Sequence, residues 1–268
     1  MNTLNKCLRR TYTRKARQLG GVHRNHPYVH KGHTIYYNTA PNVHGDPETI
    51  FINAGRGKGQ KPCFNLAMKD GVATLQSLDK ATDCFDDDFD NSRELVIAAF
   101  SLAKSKGCTA FQLTDNSTKT CNSYKFTLSD MYFVTTGRTW YESILPVNST
   151  KYNEADMTSF RERVRSSTWT DVSAYLISHG STIDFDFPGL DPNKAGSCME
   201  ALNLIAKMRN VASCKFFKEQ LKNIMDAHKI KTFHGTFWTV NIDASSANIR
   251  GGQRTKKMLR QMPGKASL

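Results

Sequence analysis

A chain of 268 residues with 39% hydrophobic and 23% charged residues has enough apolar side chain to bury a core of its own. The longest apolar run, Leu95–Phe100, falls far short of the roughly 18 residues of a membrane-spanning helix, so no membrane partner is expected. The net charge of +13 argues against cationic partners and points to anionic ones.

That charge is segregated. Residues 1–32 hold 8 of the 37 Lys and Arg residues, residues 250–268 hold 6, and neither segment has an acid. The stretch between, 33–249, keeps 23 basic and 24 acidic residues. We read 1–32 as a basic N-terminal tail, 33–249 as a single globular α/β domain and 250–268 as a basic C-terminal tail. Arg9, Arg10, Arg14, Lys15 and Arg17 in the first tail, with Arg250, Arg254, Lys256, Lys257 and Arg260 in the second, are the candidate nucleic-acid or anion-binding residues. An acid-free cationic segment gains affinity by displacing counterions from a polyanion. The first tail has no apolar h-region. Its Arg-rich composition, with Leu4, Leu8, Tyr12 and Leu19 at rough helical spacing, also suits a mitochondrial transit peptide.

In chain order, His23, His26, His30 and His33 come first, at three- and four-residue intervals. On a helix they would form a metal face. Pro27 and Gly32 break that helix and no cysteine or carboxylate joins the set, so no metal site is expected. Residues 33–38 and 48–54 are β-branched and aromatic and read as strands. Residues 63–68 and 72–78 alternate around Asp70-Gly71 and read as a β-hairpin. GRGKGQKP, 55–62, lacks the GxxxxGK[ST] pattern and reads as a loop.

DCFDDDFDN, 83–91, holds five aspartates but no calcium-loop glycine, and Ile97 stands where the loop needs glutamate. It reads as an acidic helix start, with Asn91 as N-cap and Glu94 three residues on. A helix over 92–107 ends at Gly107, and a strand over 108–115 follows. This strand–helix–strand unit predicts a mixed sheet covered by helices. Residues 127–145 predict a helix ending before Pro146 that buries Phe133, Trp140 and Ile144. Gly137 within it costs about 1 kcal/mol against alanine, so it marks either close packing or a break. Helices are expected at 154–166, 170–179, 195–209 and 213–229, and a returning strand within 231–242. The seven cysteines are odd in number, widely spaced and without a CxxC pair. That pattern argues for reduced thiols in an intracellular setting.

ELVIAAFSLAKSKGCTAFQLTDNSTKTC (94–121) and FTLSDMYFVTTGRTWYES (126–143) resemble uncharacterised proteins of large, nucleocytoplasmic DNA viruses. Those proteins pair a helix ending in AK..G with a strand ending in LTD.S and a helix carrying G.TWYE. The arrangement is similar in turn to the central part of the GNAT acetyltransferase fold, and it covers roughly residues 48–145. The resemblance implies a mixed sheet with helices on both faces and the CoA pyrophosphate at the N-terminus of helix 92–107. For an enzyme of that kind Tyr141 is the candidate general acid and Glu142 the candidate base. The family's glycine-containing pyrophosphate loop, Q/R-x-x-G-x-G/A, is replaced by DCFDDDFDNSR (83–93), whose five carboxylates repel a bound pyrophosphate.

The expected fold is therefore α/β or α+β, a mixed sheet flanked by helices with a GNAT-like core, a helical C-terminal half and basic tails. The favoured function is non-enzymatic and without a cofactor. It is that of a virus-encoded structural or accessory protein, in the virion or host cytoplasm, whose tails bind nucleic acid or an acidic viral protein surface. The alternative is a GNAT-type N-acetyltransferase using acetyl-CoA, and the alternative location is mitochondrial.

Overall fold

The computed structural model describes residues 26–41, 48–55, 63–78, 92–181, 187 and 189–242. Five antiparallel strands come first: β1 (His26–His30), β2 (His33–Pro41), β3 (Ile50–Gly55), β4 (Phe64–Lys69) and β5 (Val72–Leu78). Helix α1 (Ser92–Ser105) then crosses to β6 (Ala110–Thr114), which pairs parallel with β5. Among the described residues the sheet has eight strands in the order β1-β2-β3-β4-β5-β6-β10-β9, with β9 (Asn148–Ser149) and β10 (Phe237–Asn241) closing the far edge. The class is mixed α+β, and the strand–helix–strand unit falls where the sequence predicts it.

The Asp70-Gly71 turn explains its hairpin. Both residues have positive φ, 50° and 77°, as a two-residue turn of this hand requires. Strand β1 extends the sheet into the segment read as a tail. It turns into β2 through Lys31 and Gly32, again both at positive φ, so His26 and His30 are strand residues and not part of a helix face.

Alternation along the strands buries one face. Ile52, Leu66, Leu75, Leu113 and Trp238 are cross-strand neighbours in one row, and Ala54, Phe64, Phe111 and Val240 flank them. Helix α1 packs on this face, Phe100 meeting Phe111 edge-on with ring centroids 5.6 Å apart. Leu95, Ala99 and Leu102 are fully buried there, as the helical periodicity predicts. The opposite row of Asn53, Asn65, Thr74, Gln112 and Thr239 stays half-buried or exposed. Among the described residues, then, the buried strand rows lie on one face and not on both.

Among the described residues between β6 and β10 are a small hairpin and five α-helices. The hairpin is β7 (Thr118–Cys121) with β8 (Tyr124–Thr127). The helices are α2 (Leu128–Thr136), α3 (Glu154–Ser166), α4 (Trp169–Ser178), α5 (Cys198–Met208) and α6 (Val211–Ala227). Helices α3 and α4 start with full capping boxes, Asn153 with Asp156 and Thr168 with Asp171.

Two expectations are corrected here. The predicted helix over 127–145 stops at Thr136, because Gly137 adopts φ 73° and its N–H bonds back to the Phe133 carbonyl. The remainder, through Leu145, is a series of turns. The cysteines are not all reduced: Cys121 of β7 and Cys214 of α6 form a disulfide with Cα atoms 5.5 Å apart, and Cys63 is also disulfide-bonded. Spacing gave no sign of this, since the hairpin that carries Cys121 to α6 is 93 residues away in sequence.

A cleft between parallel strands as the candidate functional site

The pairing of β5 with β6 runs from Val72↔Ala110 to Leu75↔Leu113 and ends there. The cause lies one strand over. Against β4 the register passes from Leu66↔Leu75 to Asn65↔Ser77, so Gln76 is an extra residue in β5. Such a bulge bends its strand and increases the local twist. Beyond Gln76, β5 stays with β4 but has no registered partner in β6. The two parallel strands part at their carboxyl ends, and a cleft of about 770 Å³ opens between them.

The cleft is walled by Thr74–Leu78 of β5, by Thr114 and Asn116–Thr118 after β6, and by Ser92, the first residue of α1. Leu128, Trp140, Tyr141 and Phe237 complete it. No charged side chain lines it among the described residues. Its position, outside the carboxyl ends of parallel strands and beside a helix N-terminus, is where open α/β sheets hold ligands. The edge of β5 left by the bulge offers backbone amide groups to an extended ligand.

Gly137 places the aromatic pair. By ending α2 it lets residues 138–145 fold back as turns over the end of the sheet. Glu142 Oε2 accepts from the Thr139 N–H at 2.7 Å, and the Glu142 N–H donates to Thr139 Oγ1 at 3.3 Å, locking the turn. Trp140 and Tyr141 then meet edge-on with centroids 4.8 Å apart, both buried. Burial, and after it the nearby Asp115 carboxylate, push the Tyr141 phenol well above its usual range. It stays protonated at neutral pH, and so weak an acid gives up its proton poorly.

Tyr141 and Glu142, paired in the sequence reading, are not brought together. Glu142 lies outside the cleft lining. Its Oε1 accepts from Arg161 Nη2 at 2.7 Å, and Arg161 Nη1 also donates to Glu154 at 3.0 Å. Both carboxylate oxygens are thus engaged in holding the turn and helix α3. Glu142 borders a separate cavity of about 200 Å³ beside Tyr152 and Trp238.

Asp115 is the residue the sequence reading missed. It follows β6 directly and is fully buried beneath the cleft. Its carboxylate accepts from the Ser117 hydroxyl at 2.6 Å, from the Ser117 N–H at 3.2 Å and from the Ser129 hydroxyl. Burial raises its pKa, and these hydrogen bonds partly offset the rise. Asp130 of α2 sits nearby and accepts from Thr232 Oγ1 at 2.6 Å and from the Phe233 N–H at 2.8 Å. The available signal was an aspartate ending an apolar strand that precedes a helix.

The tail residues Arg9, Arg10, Arg14, Lys15, Arg17, Arg250, Arg254, Lys256, Lys257 and Arg260 lie outside the described residues, as do 56–62 and 79–91. Among the described residues no three His, Cys, Asp or Glu side chains converge as metal ligands, and no helix is long and apolar enough to cross a membrane.

Fold and cleft together define a mixed α+β domain with a cleft where two parallel strands separate. No family model, curated protein or solved structure matches this chain.

Proposed function

We propose that the core binds an acyl thioester of the coenzyme A type, with the amide-bearing arm along the free edge of β5 and the acyl carbonyl near Tyr141. The observation that carries this reading is the bulge at Gln76, which separates β5 from β6 beside the first residue of α1. An extended amide chain takes the place of the absent strand pairing, and the protonated phenol donates to the thioester carbonyl. The uncharged lining suits this neutral arm. The reading accords with the acetyltransferase resemblance but leaves Glu142 without a part as base. The test is calorimetric titration of the full chain with acetyl-CoA and with S-acetylpantetheine. Both should bind, and Tyr141→Phe should weaken each about tenfold, the worth of one buried hydrogen bond. No heat from either ligand up to millimolar concentration would overturn the reading.

A second reading rests on the 14 basic residues at the two ends, which no acid accompanies. In it the chain is a virus-encoded accessory protein whose tails hold it on nucleic acid or on an acidic viral protein surface. Binding to duplex DNA should then weaken steeply with salt, about 0.9 in log–log slope per phosphate contacted. A chain lacking affinity for DNA and for acidic polypeptide at low salt would exclude this reading.

A further inference from the structure

Two segments far apart in sequence meet at the small hairpin. One is β7–β8, residues 118–127, with Lys119 and Lys125 and no acid. The other is the end of α5 and the first three turns of α6, residues 207–222, with Lys207, Arg209, Lys215, Lys218 and Lys222 against a single acid, Glu219. They are clipped together by the Cys121–Cys214 disulfide and by Asn122, whose Nδ2 donates to the Arg209 carbonyl at 3.0 Å. Together the two segments carry seven cations and one acid. Neither segment stands out in the sequence as the tails do.

The local geometry sharpens this. Lys119 and Phe126 are cross-strand neighbours on the face of the hairpin that packs on α6, where Phe126 meets Phe217 at 5.9 Å. Lys119 is thereby turned toward Arg209. Partial burial and then the Arg209 charge both disfavour its protonated form. Neither residue pairs with a carboxylate among the described residues; of the cations on α6, Lys215 alone reaches one, Glu219, at 4.0 Å. Lys218 is four residues after Cys214, so it lies one turn further along the side of α6 that faces the hairpin. Lys215, Lys218 and Lys222 form one exposed stripe. Its rise is about 10 Å. An arrangement that holds like charges together unpaired is unfavourable by itself and is relieved by a polyanion.

We propose that the surface formed by Lys119, Arg209 and the Lys215–Lys222 stripe of α6 binds the phosphate backbone of duplex nucleic acid. It is a second binding element, built into the fold, independent of the tails and of the cleft. Its interactions are with phosphates, so it discriminates little among sequences.

The experiment uses the full chain and a duplex DNA of about 20 base pairs, long enough to span the surface and the tails, with binding followed by fluorescence anisotropy across a salt series. The variant Lys119→Gln/Arg209→Gln/Lys218→Gln should bind with a log–log salt slope shallower by about 2–3, at about 0.9 for each phosphate no longer neutralised. A control removing the same charge elsewhere, Lys104→Gln/Lys194→Gln/Lys231→Gln, should keep the unaltered slope. All six substituted side chains are exposed or half-buried, and an unchanged thermal midpoint confirms that both variants are folded. A wild-type slope in the first variant overturns the proposal, as does an equal change in both, which would reflect net charge alone. Loss of binding to an acidic polypeptide without any change in the DNA slope overturns it in favour of an acidic protein partner. If the unaltered chain does not bind DNA, this proposal falls and the tail reading keeps only its acidic-protein form, whereas the cleft reading stands.

Discussion

Tyr141 and Glu142 are consecutive in sequence but serve opposite sides of one turn: Tyr141 lines the cleft, while Glu142 is held by Arg161 at 2.7 Å and by the Thr139 N–H at 2.7 Å. The two should separate cleanly on mutation. Tyr141→Phe should weaken ligand binding and leave the unfolding midpoint in place. Glu142→Gln should lower stability by about 1–3 kcal/mol, the usual worth of charge-assisted hydrogen bonds, with little effect on ligand affinity. Urea denaturation beside calorimetry measures both.

Trp140 is 7% exposed and packs edge-on against Tyr141. Trp140→Ala should cost about 3–5 kcal/mol through lost burial and the cavity left behind. A loss below about 1 kcal/mol in denaturant unfolding would show that the turn repacks without it.

His228 caps the end of α6 and is 3% exposed. Burial, and then the neighbouring Arg163, lower its pKa from 6.5 to about 4. Because the folded value lies below the unfolded one, the unfolded chain takes up the proton first as pH falls. The stability that neutral His228 supplies is complete above about pH 6.5 and is lost as pH drops toward about 4. The loss should reach at most roughly 3 kcal/mol. His228→Gln should flatten the pH dependence in that window, as read from urea midpoints at successive pH values.

The Cys121–Cys214 bond closes a loop of 93 residues. In the chain-entropy account a loop of that length stabilises by about 4–5 kcal/mol. Cys121→Ala/Cys214→Ala should lower the thermal midpoint, and a reducing agent should lower that of the unaltered chain by more than that of the double variant, which keeps the Cys63 disulfide.

The sequence made the sheet and the helices readable where period and punctuation agree. Alternation around Asp70-Gly71 marked β4 and β5, and the spacing of Leu95, Ala99 and Leu102 marked α1. The hairpin β7–β8 escaped because TKTCNSYKFT alternates apolar residues only over Tyr124–Phe126 and turns on Asn122 and Ser123, at φ 45° and 71°, without a glycine. With the hairpin unseen, neither the disulfide nor the meeting of Lys119 with Arg209 was visible. The candidate site was legible only as Tyr141. Its cleft depends on a one-residue register slip at Gln76, which leaves no trace in composition or period. Asp115 matters through what the fold stacks around it, and Glu142 lost its assigned part to Arg161, a partner 19 residues away.

The proposed acyl thioester lies between β5 and β6 where they part. Backbone amide chemical-shift mapping of the full chain, titrated with acetyl-CoA and with S-acetylpantetheine, tests it most directly. The expected result is saturable shifts concentrated at residues 74–78, 114–118 and 140–141, with the larger set at 76–78, where β5 has no partner in β6. Saturable shifts that spare these residues, or none with either ligand, would contradict it.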